Sequence, residues 1–156
     1  MKMNSAITRL FCLMSSAITF LSCSTREEDS SIPESRVYFK TGYDEYTRLL
    51  NPGSYLTFRV NDGNIYATNT YLGYGGIIIY RDFEGKIHSC DLSCPVEASR
   101  NVLVTVSSSL QATCDVCGSV FELGWGLATP SSGPAKETLK IYTHVTDNGS
   151  AIIVSN

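Results

Sequence analysis

The chain has 156 residues, a formal charge of −3 and a hydrophobic fraction of 43%. That length suits one folded domain. The acidic balance, without a run of Lys or Arg, argues against nucleic acid as a partner, which calls for clustered basic side chains.

Lys2 and Arg9 make a short positive region, followed by an uncharged stretch of apolar and small residues over 10–21. A spanning helix needs about 20 apolar residues. The shorter stretch predicts a secretory signal peptide over residues 1–22. It closes on Phe20-Leu21-Ser22-Cys23, which resembles the lipobox of a bacterial lipoprotein signal, with Phe20 where Leu is usual. The resemblance implies a lipid on Cys23 and an outer-membrane lipoprotein on the periplasmic or cell-surface face. The alternative is an ordinary signal peptide with an incidental cysteine. Cys12 is a poor rival, with bulky Phe11 before it. Residues 23–35 are polar, carry Glu27, Glu28 and Asp29 and have no aromatic residue, which predicts a flexible tether. The acidic run also resembles the surface-export signal of Bacteroides-type lipoproteins. A chain starting at Cys23 carries ten basic and fifteen acidic residues, a formal charge of −5.

The domain proper is predicted over residues 36–156. No helical periodicity is evident, and β-branched and aromatic residues dominate the apolar runs. Strands are predicted over 36–40 and 55–60, with Leu56, Phe58 and Val60 on one face. Asp62-Gly63 then signals a hairpin turn. The run Ile77-Ile78-Ile79-Tyr80, apolar on both faces, predicts a central strand over 75–81, covered twice. Further strands are predicted over 86–90, 102–106, and 110–114 paired with 119–123. A Gly- and Pro-bearing loop spans 124–135. The alternation of Leu139, Ile141, Thr143 and Val145 makes another strand, which Asn148-Gly149 turns into 151–154. About ten short strands predict an all-β antiparallel sandwich or barrel.

Cys90-x3-Cys94 and Cys114-x2-Cys117 are separated by nineteen residues. Two tight pairs on neighbouring loops can bring four thiolates to one zinc or iron. An exported chain meets an oxidising environment, where the same cysteines form disulfides, and four allow three pairings. Both readings stay open on spacing alone.

The segments CDLSCPVEA and ATCDVCGSVFEL, a loop holding Ser132-Gly133-Pro134-Ala135, then LKIYTHV and AIIV resemble a Rieske iron–sulfur domain. The resemblance spans about residues 36–156. It implies a Rieske-like β fold with two cysteine loops and a covering proline loop, and electron transfer to a redox partner protein. Cys94-Pro95 matches the first cysteine of the family pattern, Cys114 the second, Gly118-Ser119 the Gly-Ser that follows. Pro134 lies on the covering loop. Ser119 and Pro134 are therefore expected beside the cofactor. The departures fall on the ligands: Val96 and Cys117 stand where the two histidines belong, and Phe121 where a tyrosine is common. A conventional histidine-ligated cluster is therefore not expected. Cys90 is the candidate to complete a four-thiolate set with Cys94, Cys114 and Cys117. The candidate cofactors are a two-iron two-sulfur cluster or a single zinc or iron ion, the alternative being none.

His88 lies two residues before Cys90 and is a candidate ligand or donor, or a solvated strand histidine. Asp91 and Asp115 each follow a cysteine and can accept loop hydrogen bonds. Trp125 can shield the site, anchor a ligand or simply pack. Tyr66, Tyr71, Tyr74 and Tyr80 can bind glycans or pack across strands. Neither a nucleophile–base pair nor a phosphate loop is evident, which favours a binding or electron-transfer module over an enzyme. The expected protein is a membrane-anchored Rieske-like module, the alternative a cluster-free, disulfide-stapled surface binding domain.

Overall fold

The computed structural model describes residues 30–60, 62–64 and 66–156. The signal peptide, Cys12, Cys23 and the tether to residue 29 lie outside the described residues. Among the described residues the sheets are all antiparallel, three in number, with one short helix.

The central sheet has three strands in the order β2 (Tyr55–Arg59), β4 (Gly76–Arg81), β5 (Ile87–Asp91). Its middle strand is β4, as its unbroken apolar run predicts. Ile77 and Ile79 face one core with Leu56; Ile78 and Tyr80 face the other with Cys90. A sheet apolar on both faces must be covered on both, and the other two sheets do this. One has the order β10 (His144–Asp147), β11 (Ile152–Ser155), β1 (Val37–Lys40), β3 (Tyr71–Leu72). It contributes Val37, Phe39, Leu72, Ile152 and Val154 to the first core. The other runs β6 (Val104–Val106), β7 (Gln111–Cys114), β8 (Val120–Glu122), β9 (Thr129–Ser132). It contributes Val104, Val106, Ala112, Cys114 and Phe121 to the second.

Four expectations need correction. A six-residue helix, α1 (Tyr43–Arg48), follows β1. Asp44 and Glu45 in its first turn and Arg48 in its last complement the helix dipole. Asp62 does make a tight turn, accepting from Asn64 N at 2.8 Å, but no hairpin follows. β2 pairs with β4, and β3 crosses to β1. The stretch 124–135 contains β9, paired with β8. Residues 139–145 are not one strand: Ile141 bridges to Cys90, and β10 begins only at His144.

Residues 30–35 lie against the domain. Ile32 is 1% exposed. Ser31 N donates to Glu137 Oε2 at 3.0 Å, and Lys140 Nζ reaches Ile32 O at 3.2 Å and Glu34 Oε1 at 2.7 Å.

Candidate metal centre

Two hairpin-like loops carry the cysteines. The first begins at the end of β5, where Asp91 is fully buried. Its carboxylate accepts from Tyr74 N (2.8 Å), Gly75 N (3.2 Å), Ser93 N (2.7 Å) and Tyr142 Oη (2.7 Å). Burying a charge is costly unless its lone pairs are satisfied, and these four donors fix the loop root. The chain then turns, with Ala98 N donating to Cys94 O at 2.9 Å. The second loop joins β7 to β8. Gly118 N donates to Cys114 O at 2.8 Å, and Gly118 takes φ +73°, a left-handed value that glycine adopts without strain.

The Sγ atoms of Cys94, Cys114 and Cys117 all lie within 4.8 Å of one another. Cys94 Sγ stands 3.6 Å from Cys117 Sγ, well beyond a covalent S–S bond of about 2.05 Å. Cys94 and Cys114 are buried, whereas Cys117 is half-buried. Backbone N–H groups point at the sulfurs: those of Glu97 and Val96 at Cys94, that of Ser119 at Cys117. Burial pushes the Cys94 thiol up to about 12, against those N–H groups. For Cys117 burial also acts upward, but the Ser119 hydroxyl and N–H outweigh it and hold the thiol below its ordinary value.

The expected fourth thiolate does not join this group. Cys90 sits on β5, opposite Ile78 and bridged to Ile141, with no exposure. The strand's alternation turns its side chain into the core, and burial raises its thiol far above the ordinary range. Val96 is 43% exposed, and Phe121 is fully buried.

Ser119 and Pro134 come together with the cysteine loops. Ser119 Oγ lies 3.1 Å from Cys117 Sγ and accepts from Ala135 N at 3.1 Å, tying the proline loop to the second cysteine loop. Gly133 allows this approach: a Cβ there would stand 2.5 Å from Ser119 Cα. Pro134 lines a cleft of about 430 Å³ with Pro95, Val96, Ser31, Lys136 and Glu137.

The remaining candidates go elsewhere. His88 Nε2 pairs with Asp82 Oδ2 at 2.7 Å, and its ring stacks on Tyr80. Trp125 packs edge-on against Phe83, centroids 5.6 Å apart. Asp115 is exposed. The sulfur-directed N–H groups were missed in the sequence, since backbone direction leaves no mark in residue identity.

No family model matches the chain, and no curated protein matches it. Among solved structures, the ferredoxin of carbazole 1,9a-dioxygenase from Nocardioides aromaticivorans IC177 is similar, with 18% identity and a TM-score of 0.44. The alignment covers 78% of this chain and 95% of that one.

Proposed function

We propose that this is a Rieske-like domain whose cysteine loops hold a single metal ion through the thiolates of Cys94, Cys114 and Cys117. The observation that carries the reading is the convergence of the three sulfurs within 4.8 Å. Tetrahedral ligands with metal–sulfur bonds of about 2.3 Å stand about 3.8 Å apart, close to the 3.6 Å between Cys94 and Cys117. A two-iron cluster divides four ligands between two irons. Here three thiols gather at one point, Val96 offers no donor atom and Cys90 lies outside the group. The two-iron cluster therefore does not fit these residues. Bound iron would supply one-electron chemistry, and bound zinc a structural cross-link.

The chain's own part is to gather and neutralise. The N–H groups of Val96, Glu97 and Ser119 and the Ser119 hydroxyl offset thiolate charge. Pro95 is buried at the foot of the first cysteine loop, and Pro134 lines the cleft beside it. Val96 and Val116, 43% and 65% exposed, give an apolar rim suited to a redox partner protein. Lipidation of Cys23 and anchoring to the outer membrane belong to the same proposal. They rest on the run ending in Ser22-Cys23. Mass spectrometry of the mature N-terminus tests them, and an unacylated terminus elsewhere refutes them.

Anaerobic purification with elemental and sulfide analysis tests the site. The expected result is one metal ion per chain and no inorganic sulfide, with metal lost in Cys114→Ser and kept in Cys90→Ala. Two irons with two sulfides overturn the single-ion reading. A metal-free protein with a Cys94–Cys117 disulfide also overturns it, in favour of the stapled binding domain that their proximity would serve.

A further inference from the structure

A second site stands apart from the cysteines. A cleft of about 740 Å³ opens beside β3, lined among others by Arg36, Arg100, Asn64, Tyr66, Thr70 and Tyr71. That volume is in the range of small-molecule sites. Two arginines line it, and no Asp or Glu is among its described lining residues, on a chain of net charge −3. Each guanidinium rests on a ring. Arg36 lies 4.0 Å from the Tyr71 ring centre and Arg100 lies 4.5 Å from that of Tyr74. Tyr74 is itself held by its hydroxyl, which donates to Ala98 O at 3.2 Å. Among the described residues, neither arginine is within ion-pair distance of a carboxylate. The nearby Asp62 is occupied: its Oδ2 accepts from Tyr66 Oη at 2.7 Å and from Asn64 Nδ2 at 2.7 Å.

We propose that this cleft binds an acidic saccharide, a sugar of one or two rings bearing a carboxylate or sulfate. Each part of such a ligand has a counterpart in the lining. The anion meets two guanidinium groups whose forked donors suit a carboxylate or sulfate. The apolar face of a sugar ring meets tyrosine. Its hydroxyls meet the Asn64 amide oxygen, the Thr70 hydroxyl and a main-chain group of Gly63. A concave surface of one charge sign also concentrates the opposite ion from solution. The site stands independently of the metal reading, because it shares no residue with the cysteine loops' thiol group.

Calorimetric titration of the purified protein at low ionic strength tests it. The probes are a sulfated uronate-containing disaccharide, its unsulfated counterpart and neutral lactose. Binding of either acidic sugar, with lactose at least tenfold weaker, is expected. The stronger of the two acidic probes identifies the preferred anion. Arg36→Ala and Arg100→Ala should each weaken binding about tenfold or more, the size expected for losing a charged hydrogen bond. Both should keep the thermal midpoint and metal content of the parent. Absence of binding by both acidic sugars, equal binding of lactose, or an unchanged affinity in the folded double variant overturns the proposal.

Discussion

Ser119 joins two loops that are far apart in sequence. Its hydroxyl lies against Cys117 Sγ and accepts the N–H of Ala135, both at 3.1 Å. Removing it takes one donor from the thiolate and one anchor from the proline loop. Ser119→Ala should lower metal affinity about tenfold or more, the usual cost of losing a hydrogen-bond partner to a ligand. Chelator competition measures this, and an unchanged affinity would detach Ser119 from the site. Asp147 supplies a separate acid-sensitive contact. Gly149 N and, after it, the Arg81 guanidinium hold its carboxyl below the usual range. Its stabilising contribution is therefore complete above the ordinary carboxylate pKa and is lost as pH falls through the depressed value. Asp147→Asn should flatten acid denaturation slightly, by less than about 1 kcal/mol because the pair is partly solvated. Urea melts between pH 7 and pH 3 show whether it does.

At the scale of elements, the long patterned strands were legible and the short ones were not. Ile77 to Tyr80 announced a doubly covered strand because four successive apolar residues need partners on both faces, and β4 is that strand. The β7–β8 and β10–β11 pairings also follow the sequence reading. β3 has two residues and α1 six, too few to carry a period. β9 contains Pro130, which obscures a strand on an outer edge of its sheet. Spacing proposes all four cysteines as thiolates, and the structure groups the sulfurs of Cys94, Cys114 and Cys117. Cys90 stands outside that group, because spacing along a strand does not say which face a side chain takes. The proline loop depends on Gly133, at φ +86° and against the Ser119 backbone. Gly133→Ala should cost more than about 1 kcal/mol and speed metal release. Stopped-flow transfer to a chelator measures that rate, and a rate equal to the parent's would show that the loop does not guard the ion.

Over the whole molecule, the core was broadly visible in the sequence but the closure of its ends was not. Residues 30–35 looked too polar to fold, yet one apolar residue, Ile32, seats the segment, with 1% exposure. Ile32→Ala should destabilise the domain by about 2–4 kcal/mol. If the segment is dispensable, its unfolding midpoint will match the parent's. β1 lies between β11 and β3, with Phe39 opposite Val154. Asn156 completes the closure: its Oδ1 accepts from Val37 N at 2.8 Å, and its Nδ2 donates to Ser35 O at 2.8 Å.

That closure sets an order of events during folding. The β7–β8 hairpin needs only neighbouring residues and can form early, since local pairing is fast. β1 waits for a partner more than a hundred positions downstream. Long-range pairing of this kind is slow because loop closure precedes its reward. The sheet that covers one face of β4 therefore cannot close until the last strand of the chain is available, wherever the chain folds.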